Sequence, residues 1–243
     1  MNMKIKGVVK SSLIDYPGKA SAVIFLGGCN FRCGYCHNPD IAEAGACEGE
    51  IELPEFLAFL EKRKRFLDGV VISGGEPTLH EDLYPLVRAI KETDYAVKLD
   101  TNGTNPDVLR RLVTEGLVDY VAMDIKGPWK LYESIAHRKT NIKAVQESAA
   151  FLRGFFGFSS KAGTFGCEFR TTVFQELLRE KELRQMTAES GEADAEGRYI
   201  GRVPWYLQNY RDSGKRIDKD GIYSAYEREE LERLGRALGL EIR

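Results

Sequence analysis

No stretch of this 243-residue chain approaches the roughly 18 continuous apolar residues of a membrane span, and its polar opening, Met1 to Gly7, lacks the apolar core of a secretory signal. A cytoplasmic location is therefore expected, where thiols stay reduced. An excess of charge of one sign is also missing, since 35 Lys and Arg against 37 Asp and Glu leave a formal net charge of −2. That balance gives no general electrostatic reason to bind nucleic acid or a membrane surface, and neither is expected as a partner. Internal repeats and low-complexity tracts are absent, which argues against a solenoid or a disordered array. Cysteine is scarce, with five in the whole chain.

Three of those five nonetheless fall within eight residues, Cys29-Asn30-Phe31-Arg32-Cys33-Gly34-Tyr35-Cys36. They directly follow the apolar run Ala22 to Leu26, which reads as a buried β-strand. Thiolates at spacings of four and three residues can converge on one soft metal centre. Three ligands leave a four-coordinate site one short, whereas structural zinc sites and electron-transfer clusters normally close with a fourth protein ligand. If the centre is a cubane of four irons, the fourth iron is open to a substrate. A zinc knuckle completed by His37 or Cys47 is a competing reading, although His37 directly follows Cys36 and is awkwardly placed for the same metal. Three unliganded buried thiols are another. Cys47 and Cys167 otherwise read as small buried hydrophobes without a function.

Beyond the cysteine loop, strands alternate with helices, the pattern of a parallel sheet with helical crossovers. Strands are expected at 22–26, 69–72, 95–99, 119–124, 168–174 and 204–208. Helices are expected at 53–66, 81–91, 107–115, 142–153, 175–186 and 225–238, with a solvated acidic loop at 188–197. This makes six βα units, fewer than the eight of a closed barrel. The length suits a single domain over residues 1–243.

Several polar stretches fall at or near the C-terminal ends of these strands. They are the cysteine loop, Gly74-Gly75-Glu76, Asp100-Thr101-Asn102-Gly103, Asp124-Ile125-Lys126 and the end of Glu168-Phe169-Arg170-Thr171-Thr172. That is the face on which parallel barrels build active sites. Gly74 and Gly75, without β-carbons, let backbone come close to a ligand, or simply make a turn. Asp100, Thr101 and Asn102 bring a carboxylate and two short polar side chains to a strand end, where they could meet a ribose or a cation. Alternatively Asp100 caps the following helix. Lys126 and Arg170 could pair with an anionic ligand on the same rim.

The cysteine loop matches the CxxxCxxC signature of radical S-adenosylmethionine (radical SAM) enzymes, with Tyr35 in the aromatic place before the last cysteine. Val70 to Pro77 resembles that family's GGE motif. Ser12 to Lys19, Tyr35 to Pro39, the Asp100 to Gly103 turn, Asp124 to Lys126 and Glu168 to Thr172 resemble the activating proteins of anaerobic ribonucleoside-triphosphate reductase, within the glycyl-radical-enzyme activases.

The resemblance implies an α/β fold, a partial (β/α)6 TIM-like barrel that is laterally open. It implies a [4Fe–4S] cluster on Cys29, Cys33 and Cys36, and S-adenosylmethionine bound by Tyr35, Gly74, Gly75, Glu76, Asp100, Thr101, Asn102, Asp124, Lys126 and Arg170. Within that set Glu76 would meet the cofactor's ammonium, while Asp100, Thr101 and Asp124 would form a monovalent-cation site. The implied activity is reductive cleavage of the cofactor to a 5′-deoxyadenosyl radical, which takes a hydrogen from a backbone glycine of the reductase catalytic subunit. A flavodoxin or ferredoxin would supply the electron. No second cysteine block is present, so one cluster is expected. The alternatives are activation of a pyruvate formate-lyase type of enzyme, a small-molecule enzyme resembling 7-carboxy-7-deazaguanine synthase, or a zinc-binding interaction module.

Overall fold

The structure is a computed structural model and describes residues 4–43, 50–159 and 165–243; Cys47 lies outside them. Ten strands are present among these residues: β1 (Lys4–Ile5), β2 (Gly7–Ser12), β3 (Ser21–Leu26), β4 (Ile51–Glu52), β5 (Gly69–Gly74), β6 (Ala96–Thr101), β7 (Tyr120–Asp124), β8 (Gly166–Val173), β9 (Trp205–Asn209) and β10 (Glu241–Ile242). Eight of them form one sheet in the order β10-β9-β8-β7-β6-β5-β3-β2. All neighbours in it are parallel except β2, which pairs antiparallel with β3. The six expected strands are β3 and β5 to β9. The edge strands β2 and β10 are not paired with each other, so the sheet is an open, partial barrel. Short β1 and β4 pair separately.

The helices are α1 (Pro39–Ala42), α2 (Leu53–Arg63), α3 (Leu83–Lys91), α4 (Pro106–Thr114), α5 (Tyr132–Ala136), α6 (Ile142–Ser159), α7 (Glu180–Glu189) and α8 (Arg228–Leu238). Helices α7 and α8 start well after the positions their sequence pattern suggests, because polar side chains there hold a distant loop. Gln175 Nε2 donates to the Ala225 carbonyl, and Glu176 accepts from the Ser224 N–H, so α7 begins at Glu180 instead of Gln175. Asn209 Oδ1 accepts from the Tyr226 N–H, which keeps the chain extended until Arg228.

The period-two alternation of the strands divides the interior in two. Ala22, Ile24 and Leu26 of β3, Val70 and Ile72 of β5, and Val97 and Leu99 of β6 face the helices and join the main core. Val23 and Val71 point the other way, into the barrel, where Tyr16 packs against them as a plug, with Phe25, Ala96 and Tyr120 alongside. Tyr16 is the buried member of the Ser12–Lys19 stretch, whose Leu13 and Ile14 are exposed. On the other side of the barrel interior Arg243 pairs bidentately with the fully buried Glu168, which also accepts from Tyr120 Oη at 2.7 Å. Apolar and paired residues thus fill the N-terminal floor, and the polar chemistry is left at the other rim. No helix among the described residues is long and apolar enough to cross a membrane.

Candidate functional site

A cavity of about 410 Å³ opens over the C-terminal ends of the strands. All thirteen residues singled out above line it: Cys29, Cys33, Tyr35, Cys36, Gly74, Gly75, Glu76, Asp100, Thr101, Asn102, Asp124, Lys126 and Arg170. They come from five different strand ends, so this convergence is produced by the fold and not by sequence proximity.

The cysteine loop is held from both sides. The Gly28 and Cys29 N–H groups donate to the Ile41 and Ala42 carbonyls at 2.8 and 3.0 Å, and the Gly28 carbonyl accepts from the Glu76 N–H at 2.8 Å. Arg32 turns its guanidinium inward and donates to the carbonyls of Cys29, Phe31 and Ala42. Gly75 lets the β5 loop press on this loop, because a β-carbon there would lie 1.9 Å from the Gly28 oxygen. Gly74 combines φ of +125° with a would-be β-carbon 2.2 Å from the Leu26 oxygen, and both constraints demand glycine.

Burial pushes the Cys33 thiol up to about 11 and raises Cys29 as well. Among the described residues no three Cys, His, Asp or Glu side chains gather as they would around a single metal ion. Three soft donors beside a rim of hard charges suit a cluster that meets an amino acid. His37 Nε2 lies 2.9 Å from the Arg211 carbonyl, and the ring stacks on Tyr210. That nitrogen is engaged with the 210–226 segment.

Glu76 is fully buried and ties two loops together. Its Oε1 accepts from the Thr78 N–H and hydroxyl and from the Thr101 hydroxyl, and its Oε2 accepts from the Asn102 N–H at 2.6 Å. Burial raises its pKa, against the pull of these donors. One acceptor site on Oε2 stays available to a cation.

A line of alternating charges crosses the rim from β6 to β8. Lys98 Nζ donates to Asp100 Oδ1; Asp100 Oδ2 lies 3.5 Å from Arg170; Arg170 Nε donates to Asp124 Oδ1 at 2.9 Å; and Lys126 Nζ donates to Asp124 Oδ2 at 3.0 Å. Burial would raise the Asp124 carboxyl, but Arg170 and Lys126 overcome it and hold the group at about 2. Asp100 is lowered in the same way, by Arg170 and Lys98 against burial. Burial likewise disfavours the charge on Lys126, yet Asp124 raises its pKa well above the ordinary value. Asp100 does not cap α4, whose N-cap position is Asn105. Thr101 spends its hydroxyl proton on Glu76.

An aromatic wall closes the remaining side. Tyr35 packs against Phe174 and Tyr223 at centroid distances of 5.2 and 6.1 Å, and its hydroxyl is buried without a hydrogen-bond partner. Tyr223 belongs to the segment between β9 and α8, which also donates the Asp218 N–H to the Gly34 carbonyl and lends Ile217 to the cavity. Sequence reading missed this segment because nothing in its polar composition announces a cover. It also missed Lys98, although a lysine two residues before Asp100 on an apolar strand must share that residue's face.

Residues 23–164 match the Radical SAM superfamily. A protein of Methanocaldococcus jannaschii assigned as a glycyl-radical enzyme activating enzyme is 36% identical over 188 residues, 76% of this chain and 75% of that one. A 7-carboxy-7-deazaguanine synthase of Rhodospirillum rubrum is 38% identical over 90 residues, 37% of this chain and 36% of its own length. Among solved structures, Streptococcus suis SuiB bound to S-adenosylmethionine is similar with a TM-score of 0.63 at 14% identity, over 91% of this chain and 51% of that chain. That likeness is one of fold. The cofactors that go with the matched family are a [4Fe–4S] cluster and S-adenosylmethionine. The chain belongs to the radical SAM superfamily of enzymes and, within it, to the glycyl-radical enzyme activating enzymes.

Proposed function

We propose that this protein is a cytoplasmic activase that installs a glycyl radical on the catalytic subunit of anaerobic ribonucleoside-triphosphate reductase, with a flavodoxin or ferredoxin as electron donor. Residues 1–243 are read as one radical SAM domain. The observation that carries the reading is the convergence, around one cavity, of three thiols with a rim that is acidic at Glu76 and basic at Lys126 and Arg170. That polarity complements an amino acid bearing an ammonium and a carboxylate.

In this reading Cys29, Cys33 and Cys36 hold the cluster, and its irons and S-adenosylmethionine together supply reductive cleavage of a sulfonium and a carbon-centred radical able to take a hydrogen atom. The protein's own part is placement and exclusion of water. Glu76 receives the ammonium on its remaining acceptor site, and Lys126 and Arg170 receive the carboxylate, each already oriented by Asp124. Gly74 and Gly75 allow close backbone approach, and the unpartnered Tyr35 hydroxyl offers a donor in the wall. Asn102 fixes the edge of the cavity by donating its side-chain amide to Asn30 Oδ1 of the cysteine loop at 2.8 Å.

The reductase as target is supported by the Ser12–Lys19 and Glu168–Thr172 stretches. A small-molecule role like that of 7-carboxy-7-deazaguanine synthase is the second reading, favoured by the partial match to that enzyme. The deciding experiment is anaerobic: reconstitute with iron and sulfide, reduce, add S-adenosylmethionine and assay 5′-deoxyadenosine and methionine, then add the reductase and record electron paramagnetic resonance. Product that disappears in Cys33→Ala, followed by a glycyl radical signal on the reductase, is expected. Product without any such signal on the reductase directs the search to the other targets.

A further inference from the structure

The ion pairs on the rim contain three cations and two anions. Lys98, Lys126 and Arg170 carry one positive charge each, and Asp100 and Asp124 carry one negative charge each, which leaves a surplus of one positive charge. That surplus is the charge needed to receive one carboxylate. Without Lys98 the set would be neutral, and a bound carboxylate would leave a net negative charge in a largely buried site. A free cation would then be required.

The position of Lys98 makes it suited to replace such a cation. Its backbone lies deep in the barrel, paired in register with Val71 on one side and Tyr120 on the other. From there the side chain, 2% exposed, reaches Asp100 Oδ1. It does not line the cavity, so it meets no ligand directly. The other groups an added cation would use are already occupied. Asp124 offers one oxygen to Arg170 and the other to Lys126, Asp100 is flanked by Lys98 and Arg170, and the Thr101 hydroxyl is turned to Glu76. The neighbouring pair of Glu168 and Arg243 is neutral and does not alter the count.

We infer that the ammonium of Lys98 is a resident cation: it acts through Asp100 as a positioning residue that completes the charge balance for the cofactor carboxylate and makes the site independent of free monovalent cations. This rests on the reading of the cavity as the S-adenosylmethionine site. It departs from the expectation that Asp100, Thr101 and Asp124 bind a monovalent cation.

The test is equilibrium binding of S-adenosylmethionine to the anaerobically reconstituted protein in sodium, potassium and choline chloride at equal ionic strength. Wild-type affinity is expected to agree within about twofold in all three, since screening alone is held constant. Lys98→Met keeps the length of the side chain and removes its charge. Its affinity should fall by about tenfold or more in choline, the scale expected when a buried charge loses its partner, and recover in sodium or potassium. Lys98→Met combined with Asp100→Asn restores the surplus of one and should again bind equally in all three salts, a rescue that a merely structural lysine would not give. The double variant also covers the case in which Lys98→Met alone fails to fold. A wild-type affinity that collapses in choline, or a Lys98→Met protein indifferent to the salt, would overturn the inference while leaving the cofactor site intact. Absence of binding in every buffer would remove the site reading itself.

Discussion

At the scale of single residues, the site is built from side chains whose charge is decided by neighbours and not by water. Asp124 illustrates the consequence. Its carboxyl is held at about 2, below the ordinary value of 3.8, so its contribution to stability is complete above about pH 4 and is lost as pH falls through 2. Asp124→Asn should therefore cost about 3 kcal/mol at neutral pH, where it leaves Arg170 and Lys126 short of a partner. The difference from wild type should shrink as pH falls from 4 toward 2, as followed by denaturant unfolding at several pH values. A pH-independent difference would mean that the carboxylate charge is not what matters. These residues were visible in the sequence because each lies at a strand end beside a recognisable turn. Lys98 was not singled out, since a lysine inside an apolar run is ordinarily read as a solvated edge. The two-residue offset from Asp100 was the available signal, and the structure bears it out with a side chain buried in the barrel beside Val71 and Tyr120.

Between elements, the decisive contact is that of the loop after β3 with the loop after β5. Gly75→Ala would drive a β-carbon against the Gly28 carbonyl, a backbone atom that no rotamer change can move aside. The loops must then separate at a cost of about 1–3 kcal/mol. The expected result is lower iron content per chain after reconstitution, with a far-ultraviolet circular dichroism spectrum close to wild type; full iron loading would show that the two loops do not depend on this contact. The six parallel strands were legible because short stretches rich in apolar and β-branched residues alternate with amphipathic stretches of helical period. The edge strand β2 was missed, since Gly7 to Ser12 mixes apolar, basic and hydroxyl residues and is half exposed. The starts of α7 and α8 were misplaced because hydrogen bonds from Gln175, Glu176 and Asn209 to residues 17 to 50 positions away override local helix preference.

For the whole molecule, the open barrel needs closing devices that a complete one does not. Tyr16 plugs one side of the floor, and Arg243 crosses to the other, pairing with Glu168 and lying 4.0 Å from the Tyr206 ring centroid. Arg243→Ala would leave a carboxylate with no cation in the floor and should lower unfolding stability by about 3 kcal/mol. Adding Glu168→Gln should recover most of it in denaturant melts, and failure to recover would assign the loss to packing instead of charge. The segment between β9 and α8 has a different consequence, in the order of biosynthetic events. His37 and Arg211, 174 residues apart, meet across the cysteine loop, and Tyr223 lies over Gly34. The walls around the thiols are therefore complete only when the last long strand has been synthesised and docked, a late event for contacts so distant in the chain. A chain in which this segment is still unmade carries the three thiols but lacks Ile217 in the cavity and Tyr223 behind Tyr35.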